Sequence, residues 1–307
     1  FLALCSDNLS TPEIAVPTAH FNTLLYTGNG TAISVTGAGF QPDMVWIKTR
    51  DASMDCQAAD SVRGINRFLY TTSSGAEVNR TSENDALRSF DSDGFTYGDN
   101  AGNFSGESEV AWLWKGGGTA VSNTDGSITS SVSANPTAGF SIVKYEGNDT
   151  IGATYGHGLS KKPEMIITRS YENAQHCYGW QDWFTDYETI QLNRTVAVQT
   201  ESDQIWDVSG FSSSVVELGD HSDINGNGAD FIAYIFHSVE GYSKVGSYAA
   251  NNSADGVFLY CGFSPAFFIV KCYDATTDWI IFDNKRNTYN VVNNRLEPNT
   301  SDIENQD

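Results

Sequence analysis

A short phrase that recurs three times constrains the fold of this chain more than any other feature. Each copy has a short apolar segment that carries a tyrosine, a turn rich in Gly and Asn, a corner with Gly and Pro, and four apolar residues that end at Lys or Arg. The tyrosines are Tyr26, Tyr145 and Tyr248, and a proline follows each of them after 16 to 18 residues. Repetition at this scale indicates a chain built from equivalent structural units.

The segments between these phrases are typical of β-structure. Short apolar bursts alternate with Gly, Asn, Asp and Ser, and no stretch of helical length shows a clear helical period. We therefore predict an all-β fold of tandem antiparallel β-sandwich repeats of the jelly-roll or lectin-like type, two complete and one partial. The apolar run at 44–47 is continuous, which predicts a strand buried on both faces.

Composition and the repeats together predict the domain boundaries. We expect an N-terminal arm or linker over 1–20, a first sandwich repeat over 21–115, a Gly/Ser/Thr-rich linker over 116–139, a second repeat over 140–240 and a partial third repeat over 241–307. The three repeats are called units one, two and three below. Within the linker, the alternation at 127–133 also fits an edge strand.

Unit three has no counterpart of the aromatic segments that close units one and two, at 110–114 and 231–236. A sandwich without that strand leaves an apolar face and a sheet edge uncovered, which proteins avoid. We therefore expect a later segment or a neighbouring subunit to complete unit three.

Charge and cysteine content exclude several classes of protein. The net charge is −21 with only 17 Lys and Arg, so the clustered basic residues that replace counterions on nucleic acid are missing. No apolar run approaches the ~20 residues that a membrane helix needs. The cysteines are odd in number and form no C-x-x-C pair, so they indicate neither a zinc site nor a disulfide framework. They are Cys5, Cys56, Cys177, Cys261 and Cys272.

The sharpest metal candidate is the segment 223–230, whose Asp223, Asn225 and Asn227 match the first half of an EF-hand loop. The twelfth position of that motif should be a bidentate Glu, and here it is Tyr234. Unit one has an ordinary turn before its own closing segment at the same place. The pattern therefore favours a hairpin turn rich in Asn and Gly, and we expect no metal and no cofactor.

Units one and three each contain one pair of aspartates, and an arginine follows each pair. Glycosidases use such acids, with two carboxyl groups about 5 to 9 Å apart across a sugar. An arginine three residues after the second aspartate instead favours an ion pair that braces a turn, and a brace is expected in every copy. We predict two structural braces and no catalytic residues. The aspartate pairs are Asp55 and Asp60 in unit one, and Asp278 and Asp283 in unit three. The predicted braces are Asp60 with Arg63 and Asp283 with Arg286.

Exposed aromatic side chains would be the best candidates for a binding surface, because aromatic rings dominate binding hot spots. Most tryptophans lie in strand-like segments and are expected in the core. Trp180 and Trp183 lie in an irregular insert of unit two and are the candidates that we name.

Four motifs of unit one carry a resemblance to a known family. They are Y-T-G-N-G at 26–30, G-F-Q-P-D-M-V-W-I-K at 39–48, D-S-V-R-G at 60–64 and V-A-W-L-W-K at 110–115. In these motifs the chain resembles a repeat domain of large, tail-fibre-like virion proteins of tailed, often marine, bacteriophages. The resemblance covers nearly the whole chain and supplies a setting more than a mechanism.

The resemblance implies a virion structural protein, a tail fibre or related adhesin, which is assembled in the bacterial host cytoplasm and is not an enzyme. Its repeats would act as stiff spacers and present loops to a host-surface glycan or protein. Its partners would be other virion proteins, and fibre proteins of this kind are usually homotrimers. The alternatives are a capsid decoration protein or, from another class, a glycan-binding or glycan-cleaving module, which a carboxylate pair lining a cleft would favour.

Overall fold

The computed structural model describes residues 11–80, 86–99 and 102–306, so Cys5 lies outside the described part. The prediction of an all-β fold is confirmed, because these residues form antiparallel strands with a single turn of α-helix. Unit one contributes nine strands: β1 (Phe21–Thr27), β2 (Ile33–Thr36), β3 (Met44–Thr49), β4 (Gln57–Asp60), β5 (Arg67–Tyr70), β6 (Val78–Asn79), β7 (Leu87–Asp91), β8 (Gly94–Tyr97) and β9 (Ser108–Trp114).

Unit one is a sandwich of a six-stranded sheet, in the order β1-β9-β3-β4-β5-β6, and a three-stranded sheet, β2-β8-β7. Every residue of β3 is buried, as its continuous apolar run predicts. Val45 and Ile47 pack with Phe95 inside the sandwich, while Met44 and Trp46 belong to a second cluster that includes residues of units two and three. Alternate residues of β3 therefore serve two different cores.

The segment from 121 to 236 supplies ten strands and the helical turn α1 (Ser222–Asn225). The strands are β10 (Val121–Asn123), β11 (Ser130–Asn135), β12 (Phe140–Glu146), β13 (Ala153–Gly156), β14 (Met165–Ser170), β15 (Tyr178–Gln181), β16 (Glu188–Gln191), β17 (Gln199–Thr200), β18 (Val215–Leu218) and β19 (Asp230–Phe236). They form an eight-stranded sheet, β10-β11-β12-β19-β14-β15-β16-β17, and a pair, β13-β18. From β12 onward this sheet repeats the strand order of unit one.

The two large sheets also share their residue register. Tyr26 and Tyr145 occupy the sixth position of β1 and β12, as predicted. Trp112 and Tyr234 each pair with the third residue of the strands on both sides. We call β3, β14 and their counterpart in unit three the core strands, and β9 and β19 the closing strands.

The prediction of a linker over 116–139 is wrong for its central part. Residues of this segment form β10 and β11, which extend the sheet of unit two beyond β12. Ile128, just before β11, and Val132 within it are both buried in the core, with Ser and Thr residues between them. The alternation at 127–133 therefore marks a strand despite its linker-like composition.

Unit three contributes β20 (Phe267–Val270), β21 (Ile280–Asp283), β22 (Asn294–Arg295) and β23 (Asn305–Gln306). Part of the apolar face of unit three is covered, because Trp279, Ile281 and Leu296 are buried in the cluster that contains Trp112 of unit one. Strand β20 is not fully covered, since Phe268 is 38% exposed. Burying a side chain of this size contributes roughly 1.5–3 kcal/mol to stability. Units one and two therefore cover much of unit three.

Residues 11–20 belong to the predicted N-terminal arm and lie against the end of unit two. Ile14 is buried with Ala138 and Val239, and the Glu13 N–H donates to the Glu240 carbonyl at 3.1 Å. A 3-10 turn at Pro17–Ala19 then leads into β1. This part of the arm is docked on the sandwich.

Candidate functional site

Both predicted Asp–Arg braces are confirmed. Arg63 Nε donates to Asp60 Oδ2 at 2.6 Å, and Arg286 Nε donates to Asp283 Oδ2 at the same distance. The second oxygen of each aspartate accepts the backbone N–H of its own arginine at 2.9 Å. Since the aspartate ends a strand and the arginine lies three residues later, the turn itself brings the two side chains together.

A glutamate that sequence reasoning missed completes each brace. Arg63 Nη1 lies 3.0 Å from Glu77, and Arg286 Nη1 lies 3.1 Å from Glu304. Each glutamate immediately precedes a strand at the edge of its sheet, β6 in unit one and β23 in unit three, a position that only the shared register reveals. Burial opposes the charge of Arg63, but Asp60 and its other neighbours hold the arginine pKa above its ordinary value.

Each brace also joins its unit to the closing strand of a different unit. Tyr234 OH of unit two donates to Asp60 Oδ2 at 2.8 Å, and Trp112 Nε1 of unit one donates to Asp283 Oδ2 at 3.1 Å. Tyr234 and Trp112 occupy the same position in their closing strands. Asp60 and Asp283 are thus acceptors both in an ion pair and in a contact between units.

The basic residue four positions after the first residue of each core strand makes a third set of equivalent contacts. Arg169 Nη1 of unit two donates to the Tyr70 carbonyl of unit one at 2.8 Å. Lys48 Nζ of unit one donates to the Thr300 carbonyl of unit three at 2.8 Å. Lys271 Nζ of unit three donates to the Thr195 carbonyl of unit two at 3.2 Å. The contacts therefore run cyclically from unit two to one, from one to three, and from three back to two.

Backbone hydrogen bonds repeat the same cycle, with acceptor carbonyls two residues after Lys48, Arg169 and Lys271. In each, a carbonyl beyond a core strand accepts, at 2.7 to 2.8 Å, the N–H of the residue just before an edge strand of the next unit, which is β6, β17 or β23. Because all three junctions are made by equivalent positions, the units form one cyclically closed block. The three bonds join Glu77 N to Tyr171 O, Glu304 N to Arg50 O, and Val198 N to Tyr273 O.

A cavity of about 1410 Å³ lies where the three units meet. Apolar and aromatic residues line most of it, including Trp114, Trp183 and Phe267. The acidic residues among its described lining are Asp274 and Asp278. Asp278 Oδ1 accepts a hydrogen bond from Asn299 Nδ2 at 2.8 Å.

The repeated tyrosines hold the loop that precedes each closing strand. Tyr26 OH donates to the Gly102 carbonyl at 2.5 Å, and Tyr145 OH donates to the Ile224 carbonyl at 2.7 Å. Tyr248, the third of these tyrosines, is 42% exposed and lies at the edge of the cavity. Its exposure follows from the absence, within the described residues, of a closing strand in unit three.

The candidate metal ligands are used for structure. Asn225 donates to the Thr150 and Gly219 carbonyls at 3.1 and 2.7 Å, and its Oδ1 accepts the Asn148 N–H. Asp223 Oδ2 accepts the Tyr178 hydroxyl at 2.7 Å, while Asn227 lies in an exposed turn. Within the described ranges, no three His, Cys, Asp or Glu side chains are grouped to hold a metal ion.

Asn103 of unit one explains why the calcium-like pattern arises. It occupies the position of Asn225, and its Oδ1 accepts the Asn29 N–H at 2.9 Å. The turns that contact Asn103 and Asn225 require glycine. A Cβ at Gly147, for example, would lie 2.5 Å from the Gly226 carbonyl oxygen. Asn and Gly are therefore fixed here by a close approach of two loops.

The two candidate tryptophans have different environments. Trp180 is completely buried and packs edge-on to Phe211, with ring centroids 4.8 Å apart, so the prediction that it lies at the surface is wrong. Trp183 is half-buried and lines the cavity. The insert that carries them has strand β15 at its centre, which is why Trp180 points into the core.

Burial shifts the pKa of several groups outside the braces, Glu109 and His157 among them. Burial raises the pKa of Glu109 to about 8, although the hydroxyl of Thr49 donates to its carboxyl at 3.0 Å. Burial lowers the pKa of His157 to about 4. Both groups lie inside unit sandwiches, so their shifts concern stability.

The comparison with family models decides the family. A model described as "Domain of unknown function (DUF7483)" matches residues 16–307. The chain belongs to this family. The DUF7483 match covers all three units and all the residues that line the cavity. No curated protein and no solved structure matches the chain, and the described part contains no helix long and apolar enough to span a bilayer.

Proposed function

We propose that this DUF7483 chain is a structural, non-enzymatic component of a tailed-phage virion, a tail fibre or adhesin that presents loops for host attachment. The observation that supports this proposal is the cyclic closure of the three units through equivalent buried contacts. Such a block holds its outer loops at fixed positions, as an attachment module requires. The resemblance in the repeated motifs supports the setting.

Unit three carries the apolar side chains best placed for contact with a host surface. Phe258 and Tyr260 are 89% and 68% exposed, and Tyr289 and Val291 are also mainly exposed. Aromatic side chains supply large contact areas and dominate hot spots. In this proposal, loops of unit three make the host contact.

Mass spectrometry and immunogold labelling of gradient-purified virions test this function. We expect the chain in the virions and the gold label on the tail, with label lost when the antibody is first absorbed with the purified protein. Label spread over the head would instead identify a capsid decoration protein. Absence of the chain from purified virions would contradict a virion role.

A glycan-binding or glycan-cleaving module is the second proposal, because the cavity is lined by Trp183 and by two carboxylates, Asp274 and Asp278. A glycan array with the wild type and Trp183→Ala tests binding. Product release from any bound glycan, compared between the wild type and Asp278→Asn, separates cleavage from binding.

A further inference from the structure

The core strand of unit three has one free edge in the described part of the chain. In units one and two the core strand lies between two neighbours, and its closing strand is seven residues long. Among residues 11–80, 86–99 and 102–306, β20 pairs only with β21. An open edge of this kind is a template for another strand.

The hydrogen-bond pattern shows which groups face that edge. Ile281 and Leu296 exchange backbone bonds of 2.8 and 3.2 Å, so β21 uses Ile281 to bind its other neighbour. The backbone hydrogen bonds of successive residues in a strand point alternately to its two sides. Because Ile281 bonds to Leu296, the residues of β21 on either side of Ile281 bond to β20, where their partners are Phe268 and Val270. The main-chain groups of Phe267 and Ile269 therefore point to the open edge.

The cavity provides space for side chains beside this edge, since Phe267, Ile269 and Tyr248 all line it. Gln181 lines the same cavity, at the position that Asp60 occupies in unit one. The closing-strand aromatics of units two and one each reach the aspartate of the next unit in the cycle. A third such aromatic would reach Gln181.

We propose that the open edge of β20 binds a β-strand donated by a second polypeptide. The donated strand runs antiparallel to β20, places apolar residues at alternate positions in the cavity, and carries Tyr or Trp at its centre to bond the Gln181 carboxamide. In this mode main-chain bonds supply affinity and the side-chain pockets supply specificity. The inference holds whichever assembly contains the chain.

A second copy of this chain is a poor donor. Its own closing strands are each paired on both sides over six or seven residues. Two copies would also bring together net charges of −21, which repel at low salt. The acidic surface instead favours a partner whose strand is flanked by basic residues.

A peptide with the sequence of residues 103–115 is the probe, because it contains closing strand β9. We expect it to bind the 307-residue chain with a Kd below about 100 µM by calorimetry. Hydrogen exchange in 264–271 should slow about tenfold or more on binding, as expected for new ladder bonds. A Val110→Pro peptide, which cannot complete the ladder, should bind at least tenfold more weakly.

A pair of glutamine variants tests the side-chain pocket. Gln181→Ala should weaken peptide binding severalfold, whereas the exposed Gln41→Ala should bind like the wild type. Equal binding of the proline peptide would overturn the proposal. So would protection of 264–271 in the peptide-free monomer, which would show that residues 245–263 cover the edge. A dimer seen by light scattering, with 264–271 protected, would assign the edge to a second copy.

Discussion

Replacing Arg63 with methionine gives the most direct measure of what the braces contribute. The substitution keeps the length and apolar stem of the side chain but leaves Asp60 without its cation and removes one of the two cations beside Glu77, the other being Arg67. The side chains of these acids are only 0% and 6% exposed. Removing one partner of a buried pair costs about 3–5 kcal/mol, because the remaining charge is buried and unpaired. That is a large share of the 5–15 kcal/mol of a typical domain.

Urea unfolding at pH 7, followed by tryptophan fluorescence and far-UV circular dichroism, measures this loss. Arg67→Met is the matched control, because Arg67 lies 3.0 Å from the same Glu77 but is 41% exposed. An exposed pair contributes about 0–1 kcal/mol, so this variant should change little.

A double-mutant cycle with Asp60→Asn separates the pair from its surroundings. The double variant should lose less than the sum of the single variants, by about 0.5–3 kcal/mol. Arg286→Met should lose as much as Arg63→Met, since its contacts match. If Arg63→Met unfolds at the same free energy as Arg67→Met, the brace does not stabilise the block and the reasoning fails.

Three further predictions concern protons, thiols and calcium. The native state keeps the Glu109 proton up to about pH 8, whereas the unfolded chain releases it near pH 4.5. The contribution of this group to the free energy of unfolding should therefore fall as pH rises between these values. Glu109→Gln should flatten that part of the stability–pH curve. Cys272 is exposed and should react quickly with a thiol reagent, whereas Cys56, buried and with a pKa of about 11, should react only on unfolding. Calcium should leave the Tm unchanged, and a rise of several degrees would show a site at 223–230.

The sequence predicts those features that are repeated and local. Tyr26 and Tyr145 occupy the same strand position because each hydroxyl donates to a carbonyl in the equivalent loop before the closing strand. The Asp60–Arg63 brace could be predicted because both charges lie in one four-residue turn. These contacts form within a unit, so the pattern of a single copy is enough to infer them.

The contacts between units could not be predicted, because they join residues far apart in sequence. Asp60 and Tyr234 are 174 positions apart, and a hydroxyl in an apolar closing strand gives no local sign of its acceptor. Trp180 illustrates a second limit, since the polar residues around it resemble a surface loop although β15 turns its ring inward. The segment 116–139 shows a third, because its Ser-rich composition favours a linker although the alternation at 127–133 fits a strand.

The junction between units one and three has a consequence for protein synthesis. The bidentate contact of Arg50 with Glu304 spans 254 positions. At about 5–20 residues per second, a ribosome needs roughly 10–50 s to add that stretch. During that time the emerging first unit exposes Met44, Trp46 and Trp112, the face that the later units will cover. The nascent chain is therefore a natural client for a chaperone that shields apolar surface until residue 304 has left the ribosome.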